Sequence, residues 1–298
     1  MDISKGRYWD KPLSLVDGCT PCSPGCDHCW SAVMTHRFNF QWTREGKPEF
    51  NGHITTRHER LDIPLKRRKP TVYAVWNDLF HEDVSQTFIG RALSKMLEVP
   101  RHTFLVLTKR PNRMADLISL FYAKIEEKSL RQAVNVWSGL TVVNQQETDE
   151  KIPSFLQVPG KKFLSIEPML KPIKLSNYGT GASIDAVILG GETGPGARPM
   201  CLDWVRSVRD QCAVANVPFF FKQWGEWAPN CLCATKKAHP IAIRPAPGRL
   251  GGMFKCGKKN AGRLLDGRTH DDLPWRNDAQ IENSKKGDRC FVNTNAKR

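Results

Sequence analysis

The feature that most constrains this chain is a recurrence. Short β-branched and aromatic runs stop at polar or ionisable residues, and most are followed by an amphipathic stretch. The first run, Leu13 to Asp17, delivers a cysteine-rich loop. Thr71 to Trp76 ends at Asn77 and Asp78, and His102 to Leu107 ends at Thr108, Lys109, Arg110 and Pro111. Val134 to Val143 contains Ser138, and Lys162 to Ile166 stops at Glu167 and Pro168. Ala186 to Leu189 leads into Gly190, Gly191 and Glu192, and Val217 to Phe221 into Lys222, Gln223 and Trp224. Helices are expected over Trp30 to Phe40, Gly90 to Leu97, Asn112 to Leu130 and Leu202 to Ala215. This alternation predicts a mostly parallel sheet covered by helices. In a closed barrel and in an open doubly wound sheet alike, ligands gather beyond the carboxyl ends of the strands. The polar run ends are therefore site candidates whichever way the sheet closes.

The loop after the first run is the most unusual of these ends. Cys19, Cys22, Cys26 and Cys29 fall within eleven residues that also hold Pro21, Pro24 and Gly25, with Gly18 immediately before them. Proline and glycine at that density forbid a regular helix or central strand, so the thiols gather on a loop. Cys22-x3-Cys26-x2-Cys29 offers three thiolates to one centre, a donor set that favours zinc, copper(I) or an iron-sulfur cluster. Structural zinc usually pairs two separated Cys-x2-Cys units, whereas these cysteines are crowded into one loop. Cys201 and Cys212 read as packing thiols, and Cys231, Cys233, Cys256 and Cys290 sit in an irregular tail with no recognisable ligand spacing.

Net charge of +15 points to a polyanionic partner, because Lys and Arg neutralise phosphates. Nine of those net charges lie in the last 65 residues, and Lys66 to Lys69 is a second basic run. Nine tryptophans include Trp224 and Trp227 beside Lys222; with Arg198, Lys258, Lys259 and Arg263 they would stack a base and hold phosphates. The competing assignment makes Trp224 and Trp227 plugs of the sheet. No zinc-protease or phosphate-loop signature occurs, and no apolar run is long enough for a membrane span, so a soluble, cytoplasmic protein is expected. Residues 1–227 are assigned to the α/β unit, with a basic insertion at about 41–69, and 228–298 to a basic extension.

The three-cysteine spacing resembles the radical SAM superfamily, whose loop after the first barrel strand carries Cys-x3-Cys-x2-Cys. Wider text is similar to a phage-associated radical-SAM-like family of poorly defined activity: Val75-Trp76-Asn77-Asp78-Leu79-Phe80-His81, Leu107 to Pro111, Leu164 to Pro168, Gly190 to Pro199, Phe221 to Trp227 and Gly257 to Gly267. That likeness implies a partial (β/α)6-type radical SAM barrel. It also implies a [4Fe-4S] cluster on Cys26, Cys29 and either Cys22 or, as in many relatives, Cys19. S-adenosyl-L-methionine would bind the open iron and yield a 5′-deoxyadenosyl radical, with an outside electron donor reducing the cluster.

Under the resemblance Asn77, Asp78, Lys109, Ser138 and Glu167 become cofactor-binding candidates, and Glu192, Arg198 and Lys222 catalytic candidates. The implied substrate is a nucleobase or modified nucleotide in DNA, as in phage thymine hypermodification in a bacterial host, with repair of a pyrimidine lesion as the alternative. The opposing class is a non-catalytic, zinc-stabilised nucleic-acid-binding protein. It keeps the cysteines and the basic tail but has no use for polar residues at successive strand ends.

Overall fold

In a computed structural model, the structure describes residues 2–38, 40–124, 135–175, 178, 184–229, 239–241 and 252–276. The main sheet has seven strands, all parallel. They are β1 (Lys11–Ser14), β4 (Val72–Trp76), β5 (Thr103–Thr108), β6 (Val136–Thr141), β7 (Lys161–Ile166), β8 (Ala186–Gly190) and β9 (Phe219–Gln223), adjacent in that order. Two short strands, β2 (Val16–Asp17) and β3 (Thr55–Thr56), pair separately. Strands joined in sequential order by right-handed crossovers place their helices on one face, and the sheet curls around the other. Among the described residues β1 and β9 do not pair with each other, so the curl stays open. The expected partial α/β barrel is borne out, with seven strands in place of six.

Side-chain alternation along each strand separates two cores. Phe104, Val106, Val136, Leu140, Leu164, Ile166, Val187, Leu189 and Phe221 face outward onto the helices. These are α3 (Gln86–Leu97), α4 (Pro111–Tyr122), α5 (Gln145–Leu156) and α6 (Leu202–Val214), which return Phe88, Ile89, Met114, Ile118, Phe155 and Val205. The opposite positions, among them Val72, Leu105, Trp137, Phe163, Ala186, Ile188 and Phe220, line the concave face. Strands buried on both faces need near-continuous apolar runs, which is what the sequence supplies.

The N-terminal half of the concave face is filled from both chain ends. Tyr8, Leu273 and Trp275 pack there, Trp275 edge-on to Trp137 at 4.9 Å and donating its indole N–H to the Tyr8 carbonyl at 3.2 Å. Val72, Trp137 and Ala186 all sit at strand starts, so this plug closes the bottom and leaves the carboxyl end open.

The α5 helix has no counterpart in the helices expected from the sequence, because Pro153 and a polar composition obscure its period. Its start is written all the same: the Asn144 side chain accepts from the Glu147 N–H at 2.8 Å, and Glu147 accepts from the Val143 N–H at 3.1 Å. The Asn112 to Leu130 helix is observed as Pro111–Tyr122; residues 125–134 lie outside the described set.

The basic stretch 41–69, which contains the short helix α2 (Ile63–Lys66), folds back on the sheet. Trp42 and Phe50 bury against Ala32 of α1 (Trp30–Phe38), and Asp17 takes Arg57 at 2.6 Å and Arg60 at 3.2 Å. Past Trp227, strands β10 (Trp227–Pro229), β11 (His239–Ile241) and β12 (Met253–Lys255) form a small antiparallel sheet, followed by the single turn α7 (Lys258–Ala261). Trp227, Ala228, Met253 and Ala261 join the outer core.

Candidate metal centre

The cysteine loop leaves the end of the short β2 strand and crosses the open mouth of the sheet. Ser23 caps a single 3-10 turn, Pro24–Cys26, by accepting from the Gly25 N–H at 3.1 Å, and Cys29 immediately precedes α1. Cys19, Cys22, Cys26 and Cys29 all line one cavity of about 440 Å3 together with Trp30, Ser31, Trp76, Asn77, Asp78, Lys109, Arg110 and Thr141. Arg44, Glu49 and Phe50 from the basic stretch line it too.

The thiols are reduced and chemically unequal. Cys22 is exposed, and the other three are half-buried. Hydrogen bonding from the Cys22 thiol holds Cys26 down to about 5, against burial and with help from Lys109, while the same bond pushes Cys22 up. Burial, with the charge of Asp78, raises Cys19 to about 11. Lys109 is the electrostatic hub. Burial opposes its charge, yet the four sulfurs around it outweigh that and raise its pKa. Its ammonium has no ion-pair partner among the described residues, in contrast to its neighbour Arg110.

Thiolates beside an uncommitted cation suit an anionic iron-sulfur centre, which carries net negative charge on its sulfur ligands. Among the described residues no three His, Cys, Asp or Glu side chains stand close enough to chelate one metal ion. The four cysteines line one cavity instead, and thiolates on one loop beside the Lys109 ammonium are the kind of donor set that holds an iron-sulfur cluster, so the residues fit that group by their chemistry.

Several sequence candidates are braces. Asn77, at φ 56, accepts from Ser31 at 2.7 Å and donates to the Val16 carbonyl at 2.6 Å, tying α1 to the strand edge. Asp78 accepts from Thr108, the Phe80 and Lys109 N–H groups and Arg110 at 2.6 to 3.1 Å. Arg110 and the buried His81 in turn hold Thr20. Ser138 shares its side of β6 with Val136 and Leu140 and faces the helices; Thr141, which the sequence reading missed, lines the cavity. Alternation along β6 was the signal that could have found it.

A second polar group lies on β7 to β9. Glu167 accepts from Tyr8 and Ser165, each at 3.3 Å, and pairs with Lys222 at 2.8 Å. Gly190 makes room for it, since a Cβ there would stand 2.9 Å from the carboxylate. Glu192 and Arg198 pair with each other at 2.6 Å and reach the cysteine loop through Asp27.

The proposed base-stacking residues separate. Trp224 is 1% exposed and donates to Leu264 at 2.8 Å, and buried Trp227 donates to Ala197 at 2.7 Å, so neither offers a ring to a ligand. Arg263 is buried, bonded to the Phe221 carbonyl and to Asp271. Lys258 and Lys259 are exposed. The exposed tryptophan is Trp30, 4.7 Å edge-on to Trp76, which in turn meets Trp9 at 5.0 Å. Cys201 and Cys212 are buried thiols, Cys212 pushed up to about 12 by burial. Cys256 is half-buried, while Cys231, Cys233 and Cys290 lie outside the described residues.

Residues 4–274 match the family described as "Protein of unknown function (DUF5131)". The chain belongs to that family. No curated protein matches it. Among solved structures it is similar to a cysteine-to-serine mutant of spore photoproduct lyase, at 10% identity and a TM-score of 0.40, covering 94% of this chain and 74% of that one. A tyrosine-to-phenylalanine mutant of the same lyase gives 11% and 0.40 over 93% and 72%. A cysteine-to-alanine mutant with dinucleoside spore photoproduct gives 10% and 0.41 over 94% and 74%. Likeness at that level carries no chemistry across to this DUF5131 chain. Among the described residues no helix is long and apolar enough to cross a membrane.

Proposed function

We propose that this DUF5131 protein is a radical SAM enzyme acting on a nucleobase or nucleotide in DNA. The observation that carries the reading is the convergence of four cysteine sulfurs and the Lys109 ammonium on one cavity at the open carboxyl end of a curled parallel sheet. Cys26 and Cys29 would hold a [4Fe-4S] cluster, with Cys22 as the third ligand because it already reaches Cys26, and Cys19 as its rival from the buried side. Three protein ligands leave one iron for S-adenosyl-L-methionine; the bound, reduced cluster would supply the electron that cleaves the cofactor to a 5′-deoxyadenosyl radical.

The chain's own groups do the rest. Lys109 offsets the negative charge of the thiolates and offers an ammonium to the cofactor's carboxylate. Thr141 provides a hydroxyl on the adjacent strand, and Trp30 and Trp76 form an aromatic wall for an adenine ring. Asp78, Arg110 and His81 hold the loop that carries the thiols. The plug of Tyr8, Leu273 and Trp275 closes the floor, so water enters from one side only.

DNA as substrate is supported by the net charge of +15 and by the polar wall of Ser165, Glu167 and Lys222, with exposed Lys258 close enough to feel the charges of Lys222 and Glu167 and exposed Lys259 next to it in sequence. A reduced one-electron donor is the implied partner. The test is anaerobic incubation of the reconstituted protein with S-adenosyl-L-methionine and a reductant. Formation of 5′-deoxyadenosine, stimulated by DNA, is the expected result; an intact cofactor, with zinc bound to the cysteines, assigns the chain to the zinc-stabilised nucleic-acid-binding class instead.

A further inference from the structure

Glu192 and Arg198 lie on the loop after β8, where a substrate-binding role is the obvious assignment. Their geometry leads elsewhere. Glu192 is 4% exposed at its side chain and is saturated: Oε2 accepts from the Arg198 backbone N–H at 2.7 Å and from Arg198 Nε at 2.9 Å, and Oε1 from a terminal guanidinium nitrogen at 2.6 Å. His28 Nδ1 adds a contact to Oε2 at 3.2 Å. The guanidinium is spent on the cysteine loop, with one terminal nitrogen on Asp27 at 2.9 Å and the other also on the Pro24 carbonyl at 2.8 Å. Asp27 and His28 are the two residues between Cys26 and Cys29, and Pro24 opens the turn that ends at Cys26.

Backbone fit reinforces the grip. Gly196 adopts φ 76 beneath His28, where a Cβ would come within 2.7 Å of the imidazole Nε2. The gripping loop is itself tethered, through the Gly194 N–H to Glu226 at 3.0 Å and the Ala197 carbonyl to the Trp227 indole at 2.7 Å. A planar guanidinium with a fixed fork of donors suits three acceptors in set positions, which a lysine cannot reproduce.

From this we infer that Glu192 and Arg198 are positioning residues: they fix the Asp27–His28 turn and thereby the separation of Cys26 and Cys29, without touching substrate. The inference rests on the cluster assignment proposed for those thiols, but its first test does not need the cluster. In the reduced, metal-free protein, Arg198→Lys and Arg198→Met should raise the alkylation rate of Cys26 and Cys29 by at least about tenfold, because a local restraint of that kind controls opening. Buried Cys201 and Cys212, read by mass spectrometry in the same sample, should not change and so report that the fold is intact. Asp27→Ala, on a largely exposed side chain that leaves the Glu192 pair in place, should give a smaller increase, and combining it with Arg198→Met should add little.

After anaerobic reconstitution the same variants should lose iron to a chelator several-fold faster than the parent. Unchanged alkylation and iron release, together with weakened DNA binding, would overturn the inference and return Arg198 to the substrate. A parent protein that takes up no iron would refute the cluster assignment, while the alkylation contrast would still decide whether the strap exists.

Discussion

Asp78→Ala should destabilise the protein by about 3 kcal/mol, the lower end of the roughly 3 to 5 kcal/mol that follows when one partner of a buried ion pair is removed. The carboxylate and the Arg110 side chain are 7% and 8% exposed, so water replaces little of what is lost. Four donors lose their acceptor: Thr108 Oγ1 at 2.6 Å, the Phe80 N–H at 3.0 Å, the Lys109 N–H at 3.1 Å and Arg110 at 2.9 Å. Arg110 keeps Glu82, at 2.7 and 2.8 Å from its Nε, which holds the cost at the low end.

For a chain of this size about 3 kcal/mol lowers Tm by roughly 6 to 12 °C. Asp78→Asn, which retains one acceptor oxygen, should fall between the variant and the parent. Calorimetry with a reversibility check is the assay. A Tm within about 2 °C of the parent in the alanine variant would mean that the four contacts carry no net stability, and the brace assigned to Asp78 would be wrong.

Gly139→Ala should cost about 1 to 3 kcal/mol by overpacking, since the new Cβ would sit 2.3 Å from the Phe163 ring. Adding Phe163→Leu should recover part of that loss, and denaturation midpoints that simply add would refute the contact. Arg206, with burial opposing and Arg209 assisting, holds Asp266 down to about 2, below its ordinary 3.8. That contribution is fully present above about pH 4 and is lost as pH falls toward 2, so the stability gap between the parent and Asp266→Asn should be constant above pH 4 and close below it; a gap independent of pH in urea titrations would contradict it. Thr141→Val should weaken S-adenosyl-L-methionine binding several-fold by calorimetry on the reconstituted protein, whereas Ser138→Ala should leave it unchanged; the reverse order would put the wrong face of β6 in the cavity.

The strands were legible because a sheet buried on both faces forces continuous apolar runs, and runs such as Thr71 to Trp76 have no other stable use in a chain of this composition. The cysteine loop was legible because prolines and glycines exclude regular structure there. Less legible was the direction of each side chain. Ser138 and Thr141 are three residues apart on one strand and face opposite sides, a distinction that needs the strand's parity to be fixed by its neighbours. Nor does a sequence say which charges are already spent: Arg198, Arg263 and Asp78 read as ligands by position, and each is consumed within the chain by partners 2 to 174 residues away. The stretch 41–69 reads as a basic insertion because its few apolar residues, Trp42 and Phe50 among them, lack period, yet these two are large enough to bury against α1.

The assignment of the cysteine loop as a cluster site is tested most directly by metal and acid-labile sulfide analysis of the protein reconstituted without oxygen. The account predicts about four iron and four sulfide per chain, abolished in Cys26→Ala and Cys29→Ala and lost in only one of Cys19→Ala and Cys22→Ala. Stoichiometric zinc with no sulfide, retained in the parent, would contradict it.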